Sequence, residues 1–96
     1  MIRHAALFRL RHDAGSPEEA AFLSALAGLA TIPGVGDFAI ARETSRKNPY
    51  RFAVAMNFAD QAAYDSYNAH PQHLRFVQDR WVPEVAEFME HDSVLL

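Results

Sequence analysis

The 96-residue sequence contains no cysteine, which excludes a disulfide framework, a thiolate metal site and a thiol nucleophile. That absence fits the cytoplasm best. Basic runs are also missing, and nine Lys and Arg against twelve Asp and Glu give a formal charge of -3. A phosphate backbone would find little to hold it, so no nucleic-acid partner is expected. Long apolar stretches are absent too. Met1-Ile2-Arg3-His4 leads straight into an alternating segment, which reads as a soluble, unprocessed chain with no membrane partner. Only four glycines occur, and Gly34-Val35-Gly36 lacks the third glycine and the strand-to-helix setting of a dinucleotide loop, so no nucleotide cofactor is expected. Neither Ser16 nor Ser24 stands in a nucleophile elbow.

What is present is globular: half the residues are apolar and 22% are charged. The length predicts one domain over residues 1–96 with a thin core, which an added interface would stabilise. Ile2, His4, Ala6, Phe8 and Leu10 share one parity and Arg3, Arg9 and Arg11 the other, a two-faced strand. Ser16-Pro17-Glu18-Glu19 is a helix start, with an N-cap hydroxyl, Pro at the first position and a Glu able to reach back to the cap N–H. Phe22, Leu23, Leu26, Leu29 and Ala30 then form an apolar helical stripe that must lie on a sheet.

Pro33-Gly34 ends that helix, and Phe38, Ile40 and Arg42 alternate through a second strand, followed by a polar loop from Glu43 to Pro49. In the third strand Tyr50, Phe52, Val54, Met56 and Phe58 make a bulky face, whereas Arg51, Ala53, Ala55 and Asn57 make a thin one. Alanine-rich surfaces let another sheet come close, so the thin face is expected to meet a partner subunit. Asp60 caps a helix from Gln61 to Asn68, Pro71 opens a further helical segment after a break at His70, and Val85 to Val94 supplies the last strand, with the least certain register. This order predicts an α+β, ferredoxin-like four-stranded antiparallel sheet with its helices on one face.

Ile2-Arg3-His4 with Leu7-Phe8, Ile32-Pro33-Gly34-Val35, the strand ending at Phe58, and above all Tyr67-Asn68-Ala69-His70-Pro71-Gln72-His73 with Phe76-Val77 together resemble the stress-responsive A/B-barrel (dimeric α/β-barrel) family over essentially the whole chain. The resemblance implies a homodimer in which two sheets pair into a central barrel with helices outside. It also implies a pocket between the sheet and its own helices, bounded by His4, Ala6, Phe8, Phe52, Val54 and Met56 below and by Leu26, Tyr67, Phe76 and Trp81 above. Polyketide cyclases of the family close a linear chain by aldol chemistry without a cofactor. Their base matches His73 and their tyrosine donor matches Tyr67, while two further pocket histidines match His4 and His70. A third, in the middle strand, is replaced here by Phe52, so a polar wall becomes apolar.

The chemistry suits these residue types, because proton abstraction beside a carbonyl needs a base titrating near neutrality and a donor for the enolate oxygen. A structural reading stands beside it: His73 bridging helix backbone, His70-Pro71 shaping a turn, Tyr67 filling the core with its hydroxyl at the rim. His4, on a mostly apolar face, needs a buried partner under either reading. His70 and His73 are too few for zinc, and neither an H-E-x-x-H motif nor a Cys completes a set, so no metal is expected. His12 and His91 have no assigned task, and Arg42, Arg46, Lys47 and Arg51 read as a solvated loop face. Two functions follow: a barrel binding a small hydrophobic carbonyl compound, as a cofactor-free cyclase or lyase, or a non-catalytic stress or assembly protein whose dimer is the functional unit. An open cavity at His73 and Tyr67 favours the first; dense packing there by Phe8, Phe22, Met56, Phe76 and Trp81 favours the second.

Overall fold

A computed structural model describes residues Met1–Leu96. Strand β1 (Ile2–Leu10) is followed by helix α1 (Pro17–Ala27), which tightens into a 3-10 turn at Gly28–Thr31, and then by β2 (Gly36–Arg42) and β3 (Phe52–Phe58). Helices α2 (Gln61–Ala69) and α3 (Pro71–Phe76), a π-helical turn (Val77–Trp81) and the short α4 (Val82–Glu84) lead into β4 (Val85–Ser93). The sheet is antiparallel in the order β2-β3-β1-β4, the ferredoxin-like topology read from the sequence.

Alternation in β1 and β3 sorts the two faces. Ala6, Phe8, Phe52, Val54, Met56 and Phe58 are buried beneath the helices, whereas Ala5, Leu7, Ala53 and Ala55 on the opposite face are only partly covered. Phe22 of α1 drops its ring onto Phe8 at 5.7 Å and meets Phe76 at 5.6 Å, so the stripe predicted on this helix is what closes the core. Each of these fully buried aromatic side chains contributes roughly 1.5–3 kcal/mol by leaving water.

The helix starts hold as written, with one refinement. Ser16 Oγ accepts from the Glu19 N–H at 3.2 Å, but the Glu19 carboxylate reaches past the cap to the Gly15 N–H at 3.1 Å, because the Ser16 N–H is already donated to the Asp13 carbonyl. Asp60 Oδ1 accepts from the Ala63 N–H at 2.8 Å. The π turn precedes Pro83, which has no N–H to offer the carbonyl four residues back and whose ring would crowd it; widening the preceding turn relieves both. Pairing in β3 begins in earnest at Phe52 rather than Tyr50, since the Tyr50 N–H is turned to Asn48 Oδ1 at 2.9 Å in the preceding loop.

His12 is not a plain surface residue: its Nε2 meets Glu84 Oε1 at 2.7 Å, Arg80 Nε meets the other oxygen at 2.8 Å, and the Glu84 carbonyl accepts from the Arg11 N–H. This knot pins the end of β1 to the corner where α4 becomes β4. Arg42 lies 5.3 Å over the Phe52 ring. No helix is long and apolar enough to cross a membrane.

Candidate functional site

Between the sheet and the helices lies a cavity of about 490 Å³. Its floor comes from β1 and β3, where His4 pairs with Met56 and Ala6 with Val54, and from Phe88 and Glu90 of β4. Leu26 and Leu29 close one side, Tyr64, Tyr67 and Asn68 of α2 another, and His73, Phe76, Val77, Trp81 and Val82 form the roof. The widened turn before Pro83 puts both Val77 and Trp81 on the lining. Asn68, Val82, Phe88 and Glu90 are the exposed residues on the cavity rim. Most of the wall is apolar, and the polar groups are few, as in sites that orient a small organic ligand.

His73 and Tyr67 face each other here, with ring centroids 4.4 Å apart. Their spacing of six residues spans the break at His70, so α2 and α3 each present one of them. His73 Nδ1 lies 3.2 Å from the Asn68 carbonyl oxygen. A carbonyl only accepts, so Nδ1 carries the proton and Nε2 keeps its lone pair. Burial holds the His73 pKa below its ordinary value of 6.5, outweighing the Asn68 hydrogen bond, which acts the other way. At neutral pH the ring is therefore an uncharged base. Tyr67 is 2% exposed, burial raises its pKa strongly, and no hydrogen bond within the chain engages its hydroxyl. The phenol stays protonated with its donor free.

His4 finds its partner across the strands. Its Nδ1 stands 2.6 Å from Asp92 Oδ1, the Tyr64 hydroxyl donates to Asp92 Oδ2 at 2.9 Å, and the hydroxyl oxygen is itself 2.9 Å from His4 Nδ1. With the carboxylate accepting from both, His4 is set with Nδ1–H toward Asp92. The Tyr64 pKa is pushed up to about 12, by burial first and by Asp92 second.

Of the pocket residues named from the sequence, His4, Ala6, Leu26, Val54, Met56, Tyr67, His73, Phe76 and Trp81 come together on this lining. Three do not. Phe8 and Phe52 have the right parity but pair at the far end of the sheet, their tilted rings 5.6 Å apart, with Trp81 on Phe8 at 5.2 Å; Phe8 is sealed in the core and Phe52 borders a smaller polar cleft beside Arg9 and Glu19. His70 turns away because it caps α3, its Nδ1 accepting from the Gln72 N–H at 3.1 Å. Residues that the sequence reading missed are Tyr64, Asn68, Glu90 and, behind His4, Asp92. Tyr64 was signalled by standing one helical turn before Tyr67, and Glu90 and Asp92 by sharing the parity of Phe88. No group of three or more His, Cys, Asp or Glu residues is arranged to hold a metal ion.

The model of the "Stress responsive A/B Barrel Domain" matches residues 2–95. Among solved structures, a Dabb family protein with a ferredoxin-like fold from Mesorhizobium loti is 51% identical, with a TM-score of 0.96 over 99% of this chain and 96% of that one. A dimeric ferredoxin-like protein of unknown function from Thermobifida fusca is 28% identical, with a TM-score of 0.79 over 98% and 90%. The hydroxynitrile lyase from Passiflora edulis shares the fold, with a TM-score of 0.86 over 99% and 93%, at only 14% identity. No functionally curated protein matches the chain significantly. With the family model covering nearly its full length, this chain belongs to the stress-responsive A/B-barrel domain family.

Proposed function

We propose that the chain binds a hydrophobic, carbonyl-bearing small molecule in the cavity and acts on it without a cofactor, as a cyclase or aldol-type lyase. The carrying observation is the pairing of a neutral imidazole, its Nε2 free, with an unengaged phenol donor in a mostly apolar cavity open to solvent. His73 Nε2 takes a proton from the carbon beside the carbonyl, and the Tyr67 hydroxyl donates to the oxygen on which the charge gathers. The carbanion then attacks a second carbonyl of the same molecule, and the His73 imidazolium returns the proton to the new alkoxide. Run backwards, the same steps break a carbon–carbon bond. That a hydroxynitrile lyase uses this fold is compatible with lyase chemistry on such a scaffold.

A homodimer belongs to the same proposal. Relatives of this fold are described as dimeric. In this chain Ala53 and Ala55 leave a smooth face that its own helices do not cover. The reading in which the dimer alone is the functional object draws on the aromatic cluster of Phe8, Phe22, Phe76 and Trp81, but that cluster leaves a cavity beside His73 and Tyr67.

A thermal-shift screen of aryl and alkyl ketones tests the binding claim, since a ligand of the native state raises Tm in step with saturation. Ketones should stabilise the protein, and His73→Gln should leave the fold intact while abolishing turnover of any ketone found. A screen without a single stabilising carbonyl compound would refute the proposal.

A further inference from the structure

The charge on the cavity wall is one-sided. None of the 17 lining residues is Lys or Arg, and Glu90 is the one carboxylate among them. Three of the nine basic side chains are committed elsewhere, Arg3 to Asp37 and Asn57 on the opposite sheet face, Arg9 to Glu87 and Arg80 to Glu84, and none of the nine reaches the lining. Asp92, behind the wall, is neutralised in its hydrogen bonding by His4 and Tyr64. Glu90 has no such partner. It stands opposite Ala6 on the face that carries His4, between Phe88 and Asp92. Its field is felt by His73, Tyr67 and Tyr64 alike, each of which it pushes toward holding a proton.

A ligand whose carbonyl is held against His73 and Tyr67 therefore meets a negative field with no cation on the cavity lining to offset it. We propose that Glu90 is a specificity-determining residue that makes the cavity accept uncharged carbonyl compounds, ketones and aldehydes, and reject carboxylates of the same shape. The inference rests on the cavity being a carbonyl-binding site. Glu90 is itself exposed, so the discrimination is that of a partly screened charge on the cavity rim, about tenfold in affinity, and it shrinks with added salt.

Two isosteric pairs test it on the full-length protein at neutral pH: benzylacetone against hydrocinnamate, and nonan-2-one against octanoate, each titrated by chemical-shift perturbation. The wild type should bind each ketone about tenfold more tightly than its carboxylate. Glu90→Gln should narrow the gap to threefold or less, and Glu90→Lys should reverse the order. Ketone binding with no discrimination, or with discrimination that survives Glu90→Gln, overturns the role of Glu90 and leaves the carbonyl site standing. Failure of both ketones to bind the wild type removes the carbonyl site and this inference with it.

Discussion

Asp92 sits directly across the sheet from His4 and holds its Nδ1 at 2.6 Å, so that a 7%-exposed imidazole on an apolar face has the partner its burial demands. Tyr64 completes the arrangement from above. Removing the carboxylate with Asp92→Ala leaves the buried His4 donor and the half-buried Tyr64 hydroxyl short of an acceptor and should cost about 1–3 kcal/mol. Tyr64→Phe, which leaves the His4–Asp92 contact in place, should cost about 0.5–1.5 kcal/mol. Urea unfolding of the two variants checks the order; equal, negligible losses would mean that the triad is not formed.

Tyr67→Phe separates a structural from a functional role at one atom. The hydroxyl has no partner within the chain, so its removal should change stability by no more than about 1 kcal/mol in either direction. The ring, packed on Phe58 at 5.0 Å and on His73, stays. A bound ketone, however, loses its donor, and affinity or turnover should fall at least fivefold. A large loss of stability with unchanged ketone affinity would make Tyr67 a core residue only.

His73 gives a pH prediction whose sign follows from its burial. Its folded pKa lies below 6.5, so between the folded value and 6.5 the unfolded chain holds more protons than the native one, and stability rises with pH through that window. Above 6.5 this contribution is complete; as pH falls below 6.5 it is lost. An NMR titration of the His73 ring should have its midpoint below 6.5, and the acid limb of any activity should follow it. A midpoint above 6.5 would place a charged imidazole in the cavity and remove the base.

Much of this was legible in the chain because period-two patterns report faces directly. The even positions of β1 and β3, the caps Ser16 and Asp60, and the break at His70-Pro71 all stand where the sequence puts them. Parity does not report position along a strand, which is why Phe8 and Phe52 were assigned to the pocket although they pair beneath Phe22 and Trp81 at its far end. The last strand hid its contribution for two reasons. A bulge between Arg9 and Leu10 shifts its register against β1, and its cavity-facing side mixes Phe88 with Glu90 and Asp92, so no clean alternation of polarity marks the face. Hydrogen bonds joining His4, Tyr64 and Asp92 link three separate elements, and a linear pattern carries no signal for them.

The alanine-lined face supports a prediction about assembly. Ala53→Glu with Ala55→Glu places two like charges per subunit where two sheets are proposed to meet, and desolvating them is costly. Sedimentation should find a dimer for the wild type and a monomer for the double variant. A wild-type monomer in dilute solution, or a double variant still dimeric, would show that this face is not the interface.

Proton exchange beside a carbonyl tests the central claim most directly, because it reads the work assigned to His73 without requiring the natural substrate. Benzylacetone in deuterium oxide, followed by proton NMR, should lose its signals next to the carbonyl faster with the wild type than in buffer. His73→Gln should cut that acceleration by about a hundredfold. Exchange at the buffer rate while benzylacetone demonstrably saturates the cavity, or an acceleration that His73→Gln leaves untouched, would contradict the account.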